Sequence, residues 1–238
     1  MRPYLEDKCP FIVSHRDFRI EPGTPEKFAK CYENLLNLTD LASQEQVLTP
    51  EDFSWILVNF PNHNFIGEPS NTMFRRSIVQ ETGFFNAGMS QIVDLEFWAR
   101  LGCRFGLVHI PDTLSLFRVH SSSTSSKNYT IRNFRTTVLD TLILFHDYCF
   151  APHFSKFRAA AQLSQISPQA YLISYVNNSE KRIIALEKSD LGAHVLEEEV
   201  YRPWGKCCLA YPMLWTVVKS SLPYRARILS GLFPGELV

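Results

Sequence analysis

Asp94 and Glu96 stand two residues apart in "VDLEFWARLG", at the head of a segment carrying Phe97, Trp98 and Leu101. A carboxylate placed before an amphipathic turn has two jobs open to it. It can cap a helix by accepting a backbone N–H, or it can take a proton from a substrate hydroxyl as a general base. The local pattern alone favours the cap for Asp94. Glu68, in "GEPS", reads either as a turn residue held extended by Pro69 or as a polar group facing a ligand. In "LFRVH", Arg118 and His120 fall two apart, so a strand would project both from one face. That face is either solvated or suited to an anion or a metal. Arg75 and Arg76 read as surface charges or a phosphate clamp, and Phe97 and Trp98 as core rather than ligand platform.

Other chemistries find no motif. The chain has no G-x-S-x-G elbow, no Walker glycine loop, no H-E-x-x-H and no G-x-G-x-x-G. Its six cysteines include no C-x-x-C pair, so neither a zinc site nor a secreted disulfide framework is expected. Lysine plus arginine equals aspartate plus glutamate, at 24 each, which gives no electrostatic ground for a nucleic-acid partner. "MRPYLEDKCPF" lacks the apolar run of a signal peptide, and no stretch of roughly 18 apolar residues marks a membrane span. The expected compartment is the cytoplasm, and the sequons at Asn37, Asn128 and Asn177 read as chance matches.

Several elements must position these residues. "PFIVSHRDFRI" reads as a strand stopped by Pro22 and Gly23. Thr24–Pro25 and Thr49–Pro50 each read as an N-cap followed by proline at the first helical position, opening two amphipathic helices. "NTMFRR" reads as a short strand, with Ser77 and Gln80 as a capping box for the helix that ends before Gly83. The helix bearing Trp98 is expected to stop at Gly102. "RFGLVHI" and "LSLFRVH" read as two strands joined at Pro111 and Asp112, and "HSSSTSSK" as a loop. Beyond it Phe134, Val138, Leu142 and Phe145 recur at helical spacing, and "FRAAAQL" reads as a further helix. "CCLAYPMLWTVV", followed by Lys219, Arg225 and Arg227, reads as a buried helix or a helix lying at a membrane surface. The composition shifts near Lys127, giving an α/β part over residues 1–127 and a mostly helical tail over 128–238.

In this order, "NFIGEPSNTMFRRS", "GFFNAGMSQIVDLEFWARL" and "IPDTLSLFRVHSSSTS" resemble the second half of the catalytic domain of family 2 glycosyltransferases, which have the GT-A fold. The resemblance covers about Phe11 to Ser126. It implies a partial GT-A-like sheet with flanking helices and an inverting transfer from a nucleotide sugar to an acceptor hydroxyl. Asp94 matches the family's general base; an ordinary aspartate, with pKa near ~4, is ionised at neutral pH. Gly67, Glu68, Pro69 and Ser70 match the acceptor-side loop. The resemblance further implies that Trp98 and Arg118 bind substrate and that His120 helps hold a metal or diphosphate.

The family's donor half carries a D-x-D motif that holds Mg²⁺ or Mn²⁺ beneath the diphosphate. Here Asp94 and Glu96 stand at that spacing, and they fall on the base motif. The expectation is therefore an acceptor half completed by a separate donor-binding half, with a divalent metal only when that half is supplied. The expected partners are an acceptor sugar or glycolipid and a nucleotide sugar, with peripheral contact at the inner membrane face. The alternative is a non-catalytic sugar-binding or protein-interaction module derived from such an enzyme.

Overall fold

A computed structural model describes residues 9–33, 35–42, 44, 46–131, 134–190 and 192–214. The chain is α/β, and its contacts divide it into two units. The first comprises the described residues of Met1–Ala87, Gln91–Ile131 and Pro152–Ile166; the second comprises those of Gly88–Ser90, Arg132–Ala151 and Ser167–Val238. Residues 152–166 lie beyond the composition shift at Lys127, yet they pack with the first unit.

The first unit is built on a four-stranded mixed sheet in the order β2-β4-β1-β3. β1 (Phe11–Ile20) runs parallel to β4 (Leu107–Val119), while β3 (Thr72–Phe74) and β2 (Gln46–Leu48) add antiparallel on either side. Phe11, Ile12 and Val13 are all buried, as befits a central strand covered on both faces. The two strands expected around Pro111 are one. The β1–β4 register pairs Ser14 with Ile110 and His15 with Thr113, leaving Pro111 and Asp112 as an irregularity inside a continuous strand. Proline has no N–H for the ladder, so a bulge is where a strand tolerates it.

The helices of this unit are α1 (Glu26–Glu33), α2 (Leu38–Leu41), α3 (Pro50–Asn59), α4 (Ser77–Thr82), α5 (Val93–Phe105), α6 (Thr124–Ile131) and, after residue 151, α8 (Ser155–Leu163). Thr49 caps α3 as expected, accepting from Asp52 N at 3.1 Å. Thr24 does not cap α1; its hydroxyl donates to Glu21 O at 2.7 Å. Ser77 is the first helical residue of α4 rather than its cap. The serine-rich segment is not all loop, since Thr124, Ser125 and Ser126 already belong to α6.

α5 passes through Gly102 and ends at Gly106, where φ is +69°. Gly102 is required for packing and not for a turn. A Cβ there would sit 2.4 Å from the Phe53 ring of α3. Leu95 through Cys103 are all buried, including Trp98 at 0% exposure. Each large apolar side chain so buried contributes about 1.5–3 kcal/mol, so packing outweighs the glycine's helix penalty of about 1 kcal/mol. Trp98 stacks on Phe11 at 5.6 Å, joining the helix to β1.

The second unit is helical: α7 (Asp140–Phe150), α9 (Pro168–Glu187), α10 (Ala193–Leu196) and α11 (Arg202–Ala210). Phe134, Val138, Leu142 and Phe145 form the buried stripe that their spacing predicts. Ser167 caps α9 by accepting from Ala170 N at 3.2 Å, with Pro168 at the first helical position. Two segments are π-helical, Arg135–Leu139 leading into α7 and Glu197–Tyr201 leading into α11. In "CCLAYPMLWTVV", Cys207–Ala210 close α11, whereas residues 215–218, Lys219, Arg225 and Arg227 lie outside the described residues. Among the described residues no helix is long and apolar enough to cross a membrane.

Candidate functional site

The turn at Gly67 is held from four directions. Trp98 of α5 donates its indole N–H to Gly67 O at 2.9 Å, and Gly67 N donates to Asn64 Oδ1 at 2.9 Å. Asn71 donates to Ile66 O at 2.7 Å and to Ser14 O on β1 at 3.0 Å. Arg16, also on β1, adds a bond from Nη1 to Ile66 O at 3.3 Å. Gly67 has φ +107°, and a Cβ at that position would lie 2.3 Å from Arg16 Nη1. Glycine is required here twice over: for the backbone angle, and for the guanidinium that takes the side chain's place.

Arg16 is 2% exposed, and its Nε lies 2.5 Å from Glu68 Oε2. Burial lowers the pKa of the guanidinium and raises that of Glu68, while each charge opposes the shift of the other. An ion pair this buried costs desolvation on both sides, so its presence argues for orientation rather than for stability. The guanidinium also lies over the Phe18 ring at 5.1 Å.

Asp94 stands against this pair. It is the second residue of α5, not its cap, since Ile92 occupies the capping position. Oδ1 accepts from Leu95 N at 2.7 Å, and Oδ2 accepts from Asn64 Nδ2 at 3.3 Å. Its pKa is pushed up to about 6, first by burial and then by the Glu68 charge; the N–H bonds and Arg16 pull the other way. The ordinary aspartate expected from sequence is thus corrected to one that titrates close to neutrality. Its neighbour in sequence differs completely. Glu96 is buried and makes a bidentate pair with Arg100, at 2.8 and 2.9 Å. Arg100 also donates to Thr82 O and Phe84 O, so Glu96 serves the structure around the end of α4.

The remaining expected site residues divide. Gly67 and Glu68 lie at the centre of this arrangement. Pro69 and Ser70 are exposed in the short 3₁₀ turn that follows. Trp98 is corrected from substrate-binding to positioning, because a side chain with no exposed surface touches the turn and not a ligand. Arg118 is exposed and lies 3.4 Å from Glu21, and His120 Nδ1 lies 2.8 Å from Ser122 Oγ. Neither is among the groups that shift Asp94. Arg75 and Arg76 are exposed just before α4.

Among the described residues no group of three or more histidine, cysteine, aspartate or glutamate side chains is placed to hold a metal. Glu96 is taken up by its bidentate pair with Arg100, so its carboxylate oxygens are not open to a divalent ion. The Cys103 and Cys208 thiols are likewise unsuited to nucleophilic work, since burial pushes both up to about 12.

Four residues of the site were not anticipated: Arg16, Asn64, Asn71 and Tyr32. Tyr32 of α1 hydrogen-bonds with the Ser125 side chain, and its phenol is raised first by burial and then by Glu68, with Asp94 adding. Its ring stacks on Phe117 at 5.8 Å. The available signal for Arg16 was an arginine on the same face as Ser14 in a strand of otherwise apolar start.

The fold and site define an α/β protein with a partly buried carboxylate, its pKa raised to about 6, beside a glycine turn. No protein-family model matches the chain. A stretch of 77 residues, 32% of this chain, is 38% identical to an uncharacterized protein of Mycobacterium tuberculosis. The match spans 23% of that relative's length, so the relative is the longer protein. No solved structure matches.

Proposed function

We propose that the first unit is the acceptor-side half of an inverting glycosyltransferase of the family 2 type, with Asp94 as the general base. The observation that carries this reading is the Asp94 carboxylate itself, raised to about 6 beside the Gly67–Glu68 turn. A base is most effective when its pKa lies near the working pH, because it is then both ionised and basic enough to take the proton. In the proposed step Asp94 takes the proton of an acceptor hydroxyl as that oxygen bonds to the anomeric carbon of the donor. The bond from that carbon to the nucleotide diphosphate breaks on the opposite face, and the diphosphate leaves with the electron pair. Configuration inverts. Glu68 and Ser70 orient the acceptor sugar, while Arg16, Asn64, Asn71 and Trp98 hold the turn that carries them.

The donor nucleotide sugar, and any Mg²⁺ or Mn²⁺ with it, is assigned to elements other than the described residues. A sugar or glycolipid is the proposed acceptor, and peripheral contact with a membrane belongs to the same proposal.

Two measurements test it. Titration of the chain with a panel of methyl glycosides should shift the Trp98 indole N–H and the Gly67 amide in NMR spectra; no shift with any glycoside sinks the acceptor site. Mixing the chain with a donor-binding polypeptide encoded beside it should release nucleotide diphosphate, and Asp94→Asn should abolish that release. Sugar binding without turnover in the complete mixture would instead favour a non-catalytic sugar-binding module.

A further inference from the structure

β4 leaves one edge open. β2 pairs with it only at Leu107, Val108 and His109, and among the described residues no other strand joins that side. The strand runs on to Val119, held on its other side by β1. From Ser115 onward the β1 register is regular, and Val119 O accepts from Glu21 N at 3.0 Å, so Val119 turns its backbone toward β1. Leu116 and Arg118, at odd separations from Val119, turn their N–H and C=O groups outward. The register also skips Asp112 and Leu114, which have no partner position on β1. A row of backbone groups facing outward is a template for another strand.

The side chains select that strand. Asp112, Leu114, Leu116 and Arg118 are exposed, the leucines at 55% and 58%. Edge strands are ordinarily protected by charges or proline. Here Pro111, Asp112 and Arg118 stand at the ends, and leucines occupy the middle. Turned end for end about Ser115, the stretch matches itself: Leu114 falls opposite Leu116, and Asp112 opposite Arg118. The charges are also uneven within one copy. Arg19 lies beside Arg118 in the register, and the carboxylate near Arg118 Nε is Glu21, at 3.4 Å. Asp112 is in no ion pair among the described residues. A guanidinium has N–H donors beyond Nε, so Arg118 can hold Glu21 and a second carboxylate together.

We propose that the chain forms a dimer through this edge, with β4 of a second copy pairing antiparallel about a two-fold axis at Ser115. Leu114 of each copy then exchanges backbone hydrogen bonds with Leu116 of the other, which suits residues whose backbone groups face outward. The leucines cover one another on the exposed face, and Asp112 of each copy meets Arg118 of the other at both ends. A two-fold interface requires a patch complementary to itself, and this stretch has that property in its apolar centre and in its charged ends. The inference is independent of the glycosyltransferase reading.

Sedimentation equilibrium of the full chain tests it. The unaltered chain should show a reversible monomer–dimer equilibrium, and Leu116→Lys should raise the dimer dissociation constant at least about tenfold, since a lysine on an edge strand blocks pairing. Leu116 is exposed, so an unchanged Tm in dilute solution verifies that this variant folds. Asp112→Arg and Arg118→Asp should each weaken the dimer, and the two together should restore it to within about threefold, because the exchanged charges meet again across the axis. A chain that stays monomeric up to about 1 mM overturns the proposal. A dimer indifferent to Leu116→Lys overturns it as well, because the contact then lies elsewhere. So does a double exchange that folds with unchanged Tm and fails to restore pairing.

Discussion

The indole N–H of Trp98 bonds to Gly67 O at 2.9 Å, so the helix that carries Asp94 in its first turn is tied directly to the turn that carries Glu68. Trp98 thereby fixes the distance between the two carboxylates without touching a ligand. Replacing it by phenylalanine removes the donor and leaves a buried carbonyl, with Asn64 Nδ2 at 3.2 Å as a weaker substitute. Trp98→Phe should cost about 1–3 kcal/mol from the lost bond, and somewhat more from the space left behind. A urea melt monitored by circular dichroism checks this; a loss under about 0.5 kcal/mol would mean the bond holds nothing in place.

Gly67→Ala should destabilise the fold by more than about 1 kcal/mol, because the backbone sits at φ +107° and the Arg16 guanidinium occupies the Cβ position. The clash is specific to Arg16. In a double-mutant cycle with Arg16→Ala the two losses should therefore be less than additive by about 0.5–3 kcal/mol. Strict additivity would show that the backbone angle alone requires glycine.

The raised pKa of Asp94 sets a pH signature. The folded chain holds this proton more tightly than the unfolded chain, whose value is near 3.8. The contribution is complete below about 3.8 and is lost as pH rises through about 6, amounting to about 3 kcal/mol in all. Asp94→Asn removes the desolvated charge. Its Tm should exceed that of the unaltered chain at pH 8, and the difference should vanish near pH 4. Equal Tm differences at both pH values would mean that Asp94 is not held in a desolvated site.

On the proposed transferase reading, kcat/KM of the chain with its donor-binding half should fall on the acid side with an apparent pKa of about 6, since only ionised Asp94 would accept the proton. Asp94→Asn should lower turnover by several orders of magnitude with the fold intact. Survival of activity in that variant would remove Asp94 from the role of base.

Glu68→Gln should lower the pKa of Asp94. It removes the nearest negative charge and leaves the Arg16 guanidinium to stabilise the carboxylate. NMR titration of the Asp94 side-chain carbon reads the shift; a pKa that stays put or rises would show that burial alone sets it. The variant should also lose stability, because the buried Arg16 guanidinium loses its closest carboxylate partner and keeps only the Asp94 interaction.

Much of the scaffold was legible in local patterns. The all-apolar start of β1, the Thr49–Pro50 helix start and the stripe from Phe134 to Phe145 each depend on residues a few positions apart, and each formed as its spacing predicts. The failures share a cause. Gly102 looked like a helix stop, but its reason is the Phe53 ring, 49 positions away in sequence. Pro111 looked like a break between strands, but pairing with β1 absorbs it. Ser125 looked like loop, but it reaches Tyr32.

The sequence by itself determined that Asp94 would stand near the start of a helix, and that a glycine–glutamate–proline turn would precede it. Only the tertiary structure decided what kind of acid Asp94 is. Its shift to about 6 arises from desolvation and from Glu68, a residue 26 positions earlier, which pairs with Arg16 of β1. Desolvation and Coulomb interactions depend on distances that no local pattern contains. The same holds for Glu96: two residues from Asp94 in the chain, it faces Arg100 on the same helix and serves the fold, while Asp94 is left to the site.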